Sequence, residues 1–149
     1  MNRSEKATWY FNNSFNCSQS VLATFAPGLG ISEDDSLRIA CAFGAGMGRR
    51  QLTCGAITGA LMALGLLHGK AFLDDESKKQ RTYARTEEFC KEFIKKNGSL
   101  NCRELLSGLD MNDPDDSLKI KELGLHDTHC SLFVKDAVEL IEKIMIENE

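Results

Sequence analysis

Residues that favour helix N-caps recur along this chain, each followed by a segment with apolar residues at helical spacing. The clearest are Asn16, Ser32, Thr53 and Asn101, which stand directly before such segments. No alternation typical of β-strands runs long enough to predict a sheet. The pattern predicts an all-α, single-domain helical bundle of about five to seven helices that covers residues 1–149.

The capping residues, the helical periodicity and the two prolines set the expected boundaries of the helices. Pro114 interrupts a stretch, residues 110–125, that we expect to be a polar connection. The predicted helices are 4–15, 17–26, 33–43, 54–67, 74–97, 102–106 and 128–145.

The predicted helix 54–67 carries small residues at four-residue spacing, namely Gly55, Gly59 and Ala63. Glycine destabilises a helix relative to alanine, so we expect this stripe to let another helix or a bound group approach closely. The glycine-rich segment 44–50 precedes this helix. We interpret its glycines as bringing backbone close to the helix start rather than as an anion cradle, with Arg49 or Arg50 adding positive potential.

The balance of charge and the distribution of apolar residues exclude several classes of protein. With 18 basic and 22 acidic residues the net charge is −4, which argues against nucleic-acid binding. The longest apolar run, residues 56–67, is too short to span a bilayer, which needs about 20 residues. The N-terminus lacks the apolar segment of a signal peptide. We therefore expect a cytoplasmic protein without membrane insertion.

Six cysteines in a reducing compartment are more typical of ligands or redox groups than of structural disulfides. Cys41 and Cys90 fall on apolar helix faces and are predicted to be small core residues. The other four are predicted at helix N-termini, where free N–H groups and the helix dipole lower the pKa of a thiol. These candidate site residues are Cys17, Cys54, Cys102 and Cys130.

Three kinds of chemistry remain open for these four thiols. No Cys-x-x-Cys occurs, so the usual thioredoxin, zinc-ribbon and ferredoxin spacings are absent. The thiols could hold an iron–sulfur cluster of unknown type, cycle as a reversible disulfide, or bind zinc or another soft metal. His129, beside Cys130, is a further candidate ligand or base. The residues do not decide whether the protein is an enzyme.

Four motifs in order along the chain resemble a known family. They are FNCSQSVL (15–22), FGAGMG (43–48), CGAITGAL (54–61) and CRELL (102–106), and Cys130 completes the pattern. Together they resemble the small redox-active proteins of the C_GCAxxG_C_C family. The similarity extends from about Asn13 to Ile144.

The resemblance implies a role for the matching cysteines. Family members occur in anaerobic bacteria and archaea, often near oxidoreductase genes, and a similar region of split-Soret cytochromes c holds an iron–sulfur cluster. It therefore implies that Cys17, Cys54, Cys102 and Cys130 are ligands of an iron–sulfur cluster, and that an oxidoreductase or electron-transfer protein is the partner. The aromatic run that includes Trp9 and Phe15 is typical of core or oligomer contacts, which leaves a homodimer open.

Overall fold

Side-chain caps start most of the helices in the computed structural model, which describes residues 1–147. Asn2 and Asn16 each form a reciprocal capping box, with Glu5 and Gln19 respectively. No helix in this part of the chain is long and apolar enough to cross a membrane. Its α-helices are α1 (Arg3–Asn12), α2 (Cys17–Phe25), α3 (Glu33–Ala40), α4 (Gly55–His68), α5 (Glu76–Asn97), α6 (Cys102–Leu105), α7 (Pro114–Glu122) and α8 (Ser131–Glu147).

Helix α4 lies at the centre of the bundle, in contact with α2, α5 and α8. The main core contains buried residues from all four helices, among them Val21, Ile57, Phe93 and Val134. In residues 1–147 the structure has no strand, only an isolated bridge between Thr53 and Asn101. The prediction of an all-α, single-domain bundle is therefore confirmed.

The small-residue stripe of α4 faces α2. A Cβ atom added at Gly59 would lie 2.7 Å from the carbonyl oxygen of Ser18 and 3.1 Å from Cβ of Val21. Both distances are shorter than an ordinary van der Waals contact, so only glycine at position 59 lets the two helices lie this close together. The prediction that the stripe permits close approach is confirmed, and the approaching group is a helix.

Several predicted boundaries are wrong. Helix α1 ends at Asn12 instead of residue 15, because the chain turns through Ser14 with φ +72°. Helix α3 ends at Ala40, and a 3₁₀ turn, Cys41–Phe43, follows. The expected polar connection contains α7, whose N-cap Asp113 accepts a 2.9 Å hydrogen bond from the N–H of Asp116.

Candidate functional site: four cysteines at one end of the bundle

A two-way backbone pairing places Cys54 beside Cys102. The N–H of Cys54 donates to the carbonyl of Leu100 at 2.8 Å, and the N–H of Cys102 donates to that of Leu52 at 2.6 Å. Thr53, which the sequence predicts as the N-cap of α4, is extended and takes part in this pairing instead. Cys54 itself is therefore the N-cap residue, and the predicted cap is wrong by one position.

Cys17 begins α2 as predicted, directly after the N-cap Asn16. A Cβ atom added at Gly55 would lie 3.2 Å from the sulfur of Cys17, so this thiol reaches the first residue of α4. The backbone N–H groups of Ala45, Ser18 and Gly55 all donate towards this sulfur. Peptide donors that converge on one sulfur stabilise a thiolate or a metal-bound sulfur.

Cys130 is the last residue of a π-helical turn, His126–Cys130, that continues directly into α8. The prediction that Cys130 lies in the first turn of a helix that begins at residue 128 is therefore wrong, because helical structure already begins at His126. The turn brings Nδ1 of His126 within 3.6 Å of the sulfur of Cys130. His129, the histidine that the sequence singled out, lies instead 2.9 Å from the hydroxyl of Thr128.

The four thiols lie close enough to influence one another electrostatically. Burial raises the pKa of Cys54 well above its ordinary value, and repulsion from each of the other three raises it further. Burial and repulsion from Cys17 raise the pKa of Cys102 to about 12. Burial raises the pKa of Cys130, and repulsion from Cys17 and Cys102 raises it further. Each of the four thiols thus affects the others electrostatically, so the four candidate cysteines lie in one region of the fold.

These shifts contradict the expectation that helix N-termini lower the pKa values of the thiols. For Cys17 the N–H donors do lower the pKa, but burial outweighs them and the net direction is upward. A buried thiol without a nearby cation keeps its proton, because nothing compensates the lost hydration of the thiolate. The site is therefore a set of neutral thiols as it stands.

The backbone beside Cys17 is left-handed over five consecutive residues, Ala45 to Arg49, with φ between 53° and 71°. The N–H of Gly48 donates to the carbonyl of Gly44 at 3.0 Å and closes a left-handed helical turn. Non-glycine residues in this conformation cost roughly 1–2 kcal/mol each. The turn orients the N–H of Ala45 towards Cys17, so this strain lies next to the site.

The side chain of Gln51 fastens this turn to the loop before α7. Gln51 is buried; its amide donates to the carbonyl of Leu109 at 2.9 Å, and its oxygen accepts from the N–H of Met111 at 2.8 Å. The guanidinium of Arg49 adds a 2.9 Å bond to the carbonyl of Met111. Gln51 belongs to no local motif and could not be singled out from the sequence, whereas His126 lies one helical turn before Cys130, a spacing that the sequence does show.

We expect Gln51→Leu to lower the free energy of unfolding by about 2–3 kcal/mol, since it removes two hydrogen bonds and leaves a buried N–H unpaired. Urea unfolding of the metal-free protein measures this. Gln80→Leu, on the exposed side of α5, is the matched control and should change stability by no more than about 0.5 kcal/mol. Equal effects of the two substitutions would contradict the role of Gln51.

Four cysteines are a donor set used both for single zinc ions and for iron–sulfur clusters. Within residues 1–147, no three His, Cys, Asp or Glu side chains lie close enough together to hold one metal ion. Four sulfurs around one zinc would be about 3.8 Å apart, given Zn–S bonds of about 2.3 Å. A cluster of several iron and sulfide atoms joins thiols that are further apart. By ligand type alone, four cysteine thiolates match either kind of centre.

The two remaining cysteines do not join this group. Cys41 is exposed in the 3₁₀ turn after α3, so its prediction as a core residue is wrong. Helix α3 ends at Ala40, three residues before its predicted end, so Cys41 belongs to the 3₁₀ turn and not to the helix. Cys90 is half-buried on α5 and packs against the edge of the main core. Neither thiol contributes to the coupling among the four.

Comparison with known proteins agrees with this grouping. The model of the family described as "Putative redox-active protein (C_GCAxxG_C_C)" matches residues 15–144. An uncharacterized protein of Archaeoglobus fulgidus is 29% identical over 120 residues, which is 75% of this chain and 79% of that protein. No solved structure matches. The family match contains all four site cysteines.

Proposed function

Because the chain belongs to the C_GCAxxG_C_C family, we propose that it holds an iron–sulfur cluster and exchanges electrons with a partner oxidoreductase. The ligands in this proposal are Cys17, Cys54, Cys102 and Cys130. The observation that carries it is the convergence of four thiols from four separate segments on one region of the fold, where each affects the others electrostatically. A bound cluster would supply one-electron transfer at a potential set by its surroundings.

The residues around the thiols have three tasks in this proposal. The N–H groups of Ala45, Ser18 and Gly55 donate to the sulfur of Cys17 and offset its negative charge. Burial of Cys54 and Cys102 excludes water from two of the sulfurs. Each thiol gives up its proton on binding, since the thiolate is the form that ligates a metal.

The same features disfavour a dithiol that exchanges disulfides. Thiol–disulfide exchange needs a thiolate near neutral pH, and efficient attacking thiols have a pKa close to ambient pH. Here burial raises the pKa of all four thiols. A cation bound among them would reverse this balance, because a coordinating thiol is deprotonated outright.

The proposal is tested on protein purified without oxygen, by visible absorption together with assays of iron and acid-labile sulfide. Broad visible absorption with iron and sulfide in matching amounts is the expected result. A colourless protein with one zinc per chain would replace the cluster with a zinc site. A colourless, metal-free protein whose free-thiol count rises on reduction would favour the reversible disulfide.

Metal-free protein is expected to lose stability above about pH 8.5, where thiols of the unfolded chain ionise. Because the folded protein keeps these protons to higher pH, the free energy of unfolding falls as pH rises. The slope is about 1.4 kcal/mol per pH unit for each thiol, and Cys102 contributes up to its pKa of about 12.

Urea unfolding at several pH values between about 8 and 10 measures this slope. The variant Cys102→Ser has one ionisable thiol fewer and should show a shallower fall. Identical slopes for the variant and the wild type would show that the thiol of Cys102 does not hold its proton more tightly in the folded state.

A further inference from the structure

The connection between α4 and α5 exposes two large apolar side chains side by side. Phe72 is 98% exposed and Leu73 is 94% exposed. Single exposed apolar residues are common on protein surfaces, but an adjacent pair of large apolar side chains that are almost fully exposed is typical of an interaction site. We call residues 71–73 the apolar tip.

An apolar groove lies beside the base of the same connection. It has a volume of about 220 Å³ and is lined by α2, α3 and α4, through Leu22, Ile39, Met62, Gly65 and Leu66 among others. A Cβ atom added at Gly65 would meet nothing within 4 Å, so the groove is open at this point. An apolar cavity of about 150 Å³ takes up benzene, so this groove has room for a phenyl ring.

We propose that two copies of this chain form a two-fold dimer in which the apolar tip of each copy occupies the groove of the other. The tip and the groove lie at the same end of α4, since Gly65 and Leu66 line the groove and the connection begins three residues later at Gly69. A surface that carries both a projection and a matching recess is complementary to itself, as a two-fold interface requires.

The buried area and the charges agree with this occupant. Burying one phenylalanine removes about 150–250 Å² from solvent. Two tips and the two grooves that they cover would bury on the order of 1,000 Å² in total, the lower limit for a specific interface. Charged side chains beside the tip are already paired, Lys70 with Glu76 at 3.9 Å and Lys78 with Asp74 at 3.5 Å. Dimer formation would therefore not leave any of these four charged side chains buried without a partner.

The dimer is independent of the cysteine site. Helix α4 has 14 residues and is about 21 Å long, with Cys54 at its start and the groove near its end. Substitutions in the tip or the groove should therefore leave the cofactor content unchanged. The oligomeric state can be measured on the purified full chain whether or not the proposed cluster exists.

Sedimentation velocity of the full chain between about 1 and 100 µM tests the proposal. The wild type is expected to be a dimer, and Phe72→Asp should weaken the dimer at least tenfold. Ile146→Asp, which changes another exposed apolar residue, 72% exposed on α8, is the matched control and should remain dimeric. A monomeric wild type at the highest concentration would overturn the proposal.

A second variant tests the groove from its own side. Gly65→Leu should fill the groove and abolish the dimer without lowering thermal stability, since its side chain enters open space and leucine favours a helix over glycine. A dimer that tolerates both Phe72→Asp and Gly65→Leu uses another surface, which would also overturn the proposal. So would a monomer that binds phosphatidylglycerol vesicles through Phe72, because the tip would then contact lipid.

Discussion

Replacing Cys54 with serine is expected to remove the visible absorption and most of the bound iron from protein purified without oxygen. Cys54 is one of the four proposed ligands and is buried among the other three, so its loss leaves three ligands around an incomplete site. Substituting a residue that only supports a ligand weakens metal binding roughly 10- to 100-fold, and removing a ligand should cost at least as much. Iron content per chain and the absorption spectrum measure the effect.

The Cys54→Ser protein should still fold, so a loss of iron would report the missing ligand and not unfolding. Cys54 is the N-cap of α4 and makes no side-chain capping bond, whereas serine is among the most favourable N-cap residues. Cys41→Ser, at the exposed thiol of the 3₁₀ turn, is the matched control and should keep its full iron content. Equal loss of iron in the two variants would contradict the assignment of ligands.

Local signals were sufficient to predict where most helices lie. Asn16 and Gln19 mark the start of α2 as a capping box, because both hydrogen bonds of that motif form within four residues. The stripe at Gly55 and Gly59 predicted a close approach, because glycine inside a helix requires a compensating contact. These features depend on the neighbouring sequence alone, so they are readable without the fold.

The electrostatics of the site and its supports depend on contacts between distant segments. The helix-terminus argument predicted low pKa values for the thiols, but burial by other helices determines the direction of the shift. Cys54 is an N-cap only because Leu100 accepts its N–H from the segment before α6. The hydrogen bonds of Gln51 span about 60 residues of chain, so no local pattern could indicate them.

The left-handed turn, residues 45–49, could be predicted in part from local sequence and depends in part on contacts with distant segments. Gly46 and Gly48 are typical of positive φ, and their spacing marks segment 43–48 as unusual. Ala45, Met47 and Arg49 adopt the same conformation against their own preference, which only the surrounding packing can enforce. The glycines therefore predicted a special backbone, whereas the direction of the Ala45 N–H towards Cys17 follows from the folded structure.

Substituting Gly59 is expected to have the second large effect, on both stability and cofactor content. In Gly59→Ala the new Cβ would lie 2.7 Å from a backbone oxygen of α2, which no side-chain rotation can relieve. Overpacking of this kind costs about 1–3 kcal/mol, and Gly59→Leu should exceed that range. Because α2 carries Cys17, its displacement should also lower the iron content of the purified protein.

Gly65→Ala is the matched control, since it makes the same change in the same helix two turns closer to the carboxyl end. Nothing lies within 4 Å of its added Cβ, so alanine should stabilise α4 by about 0.5–1 kcal/mol. For a chain of this size the two variants should differ in melting temperature by roughly 5–10 °C. If both substitutions shifted the melting temperature alike, helix propensity alone would explain the stripe. A difference of the expected sign would show that the contact between α2 and α4 requires glycine at position 59, and a parallel loss of iron in Gly59→Ala alone would show that this contact also positions Cys17.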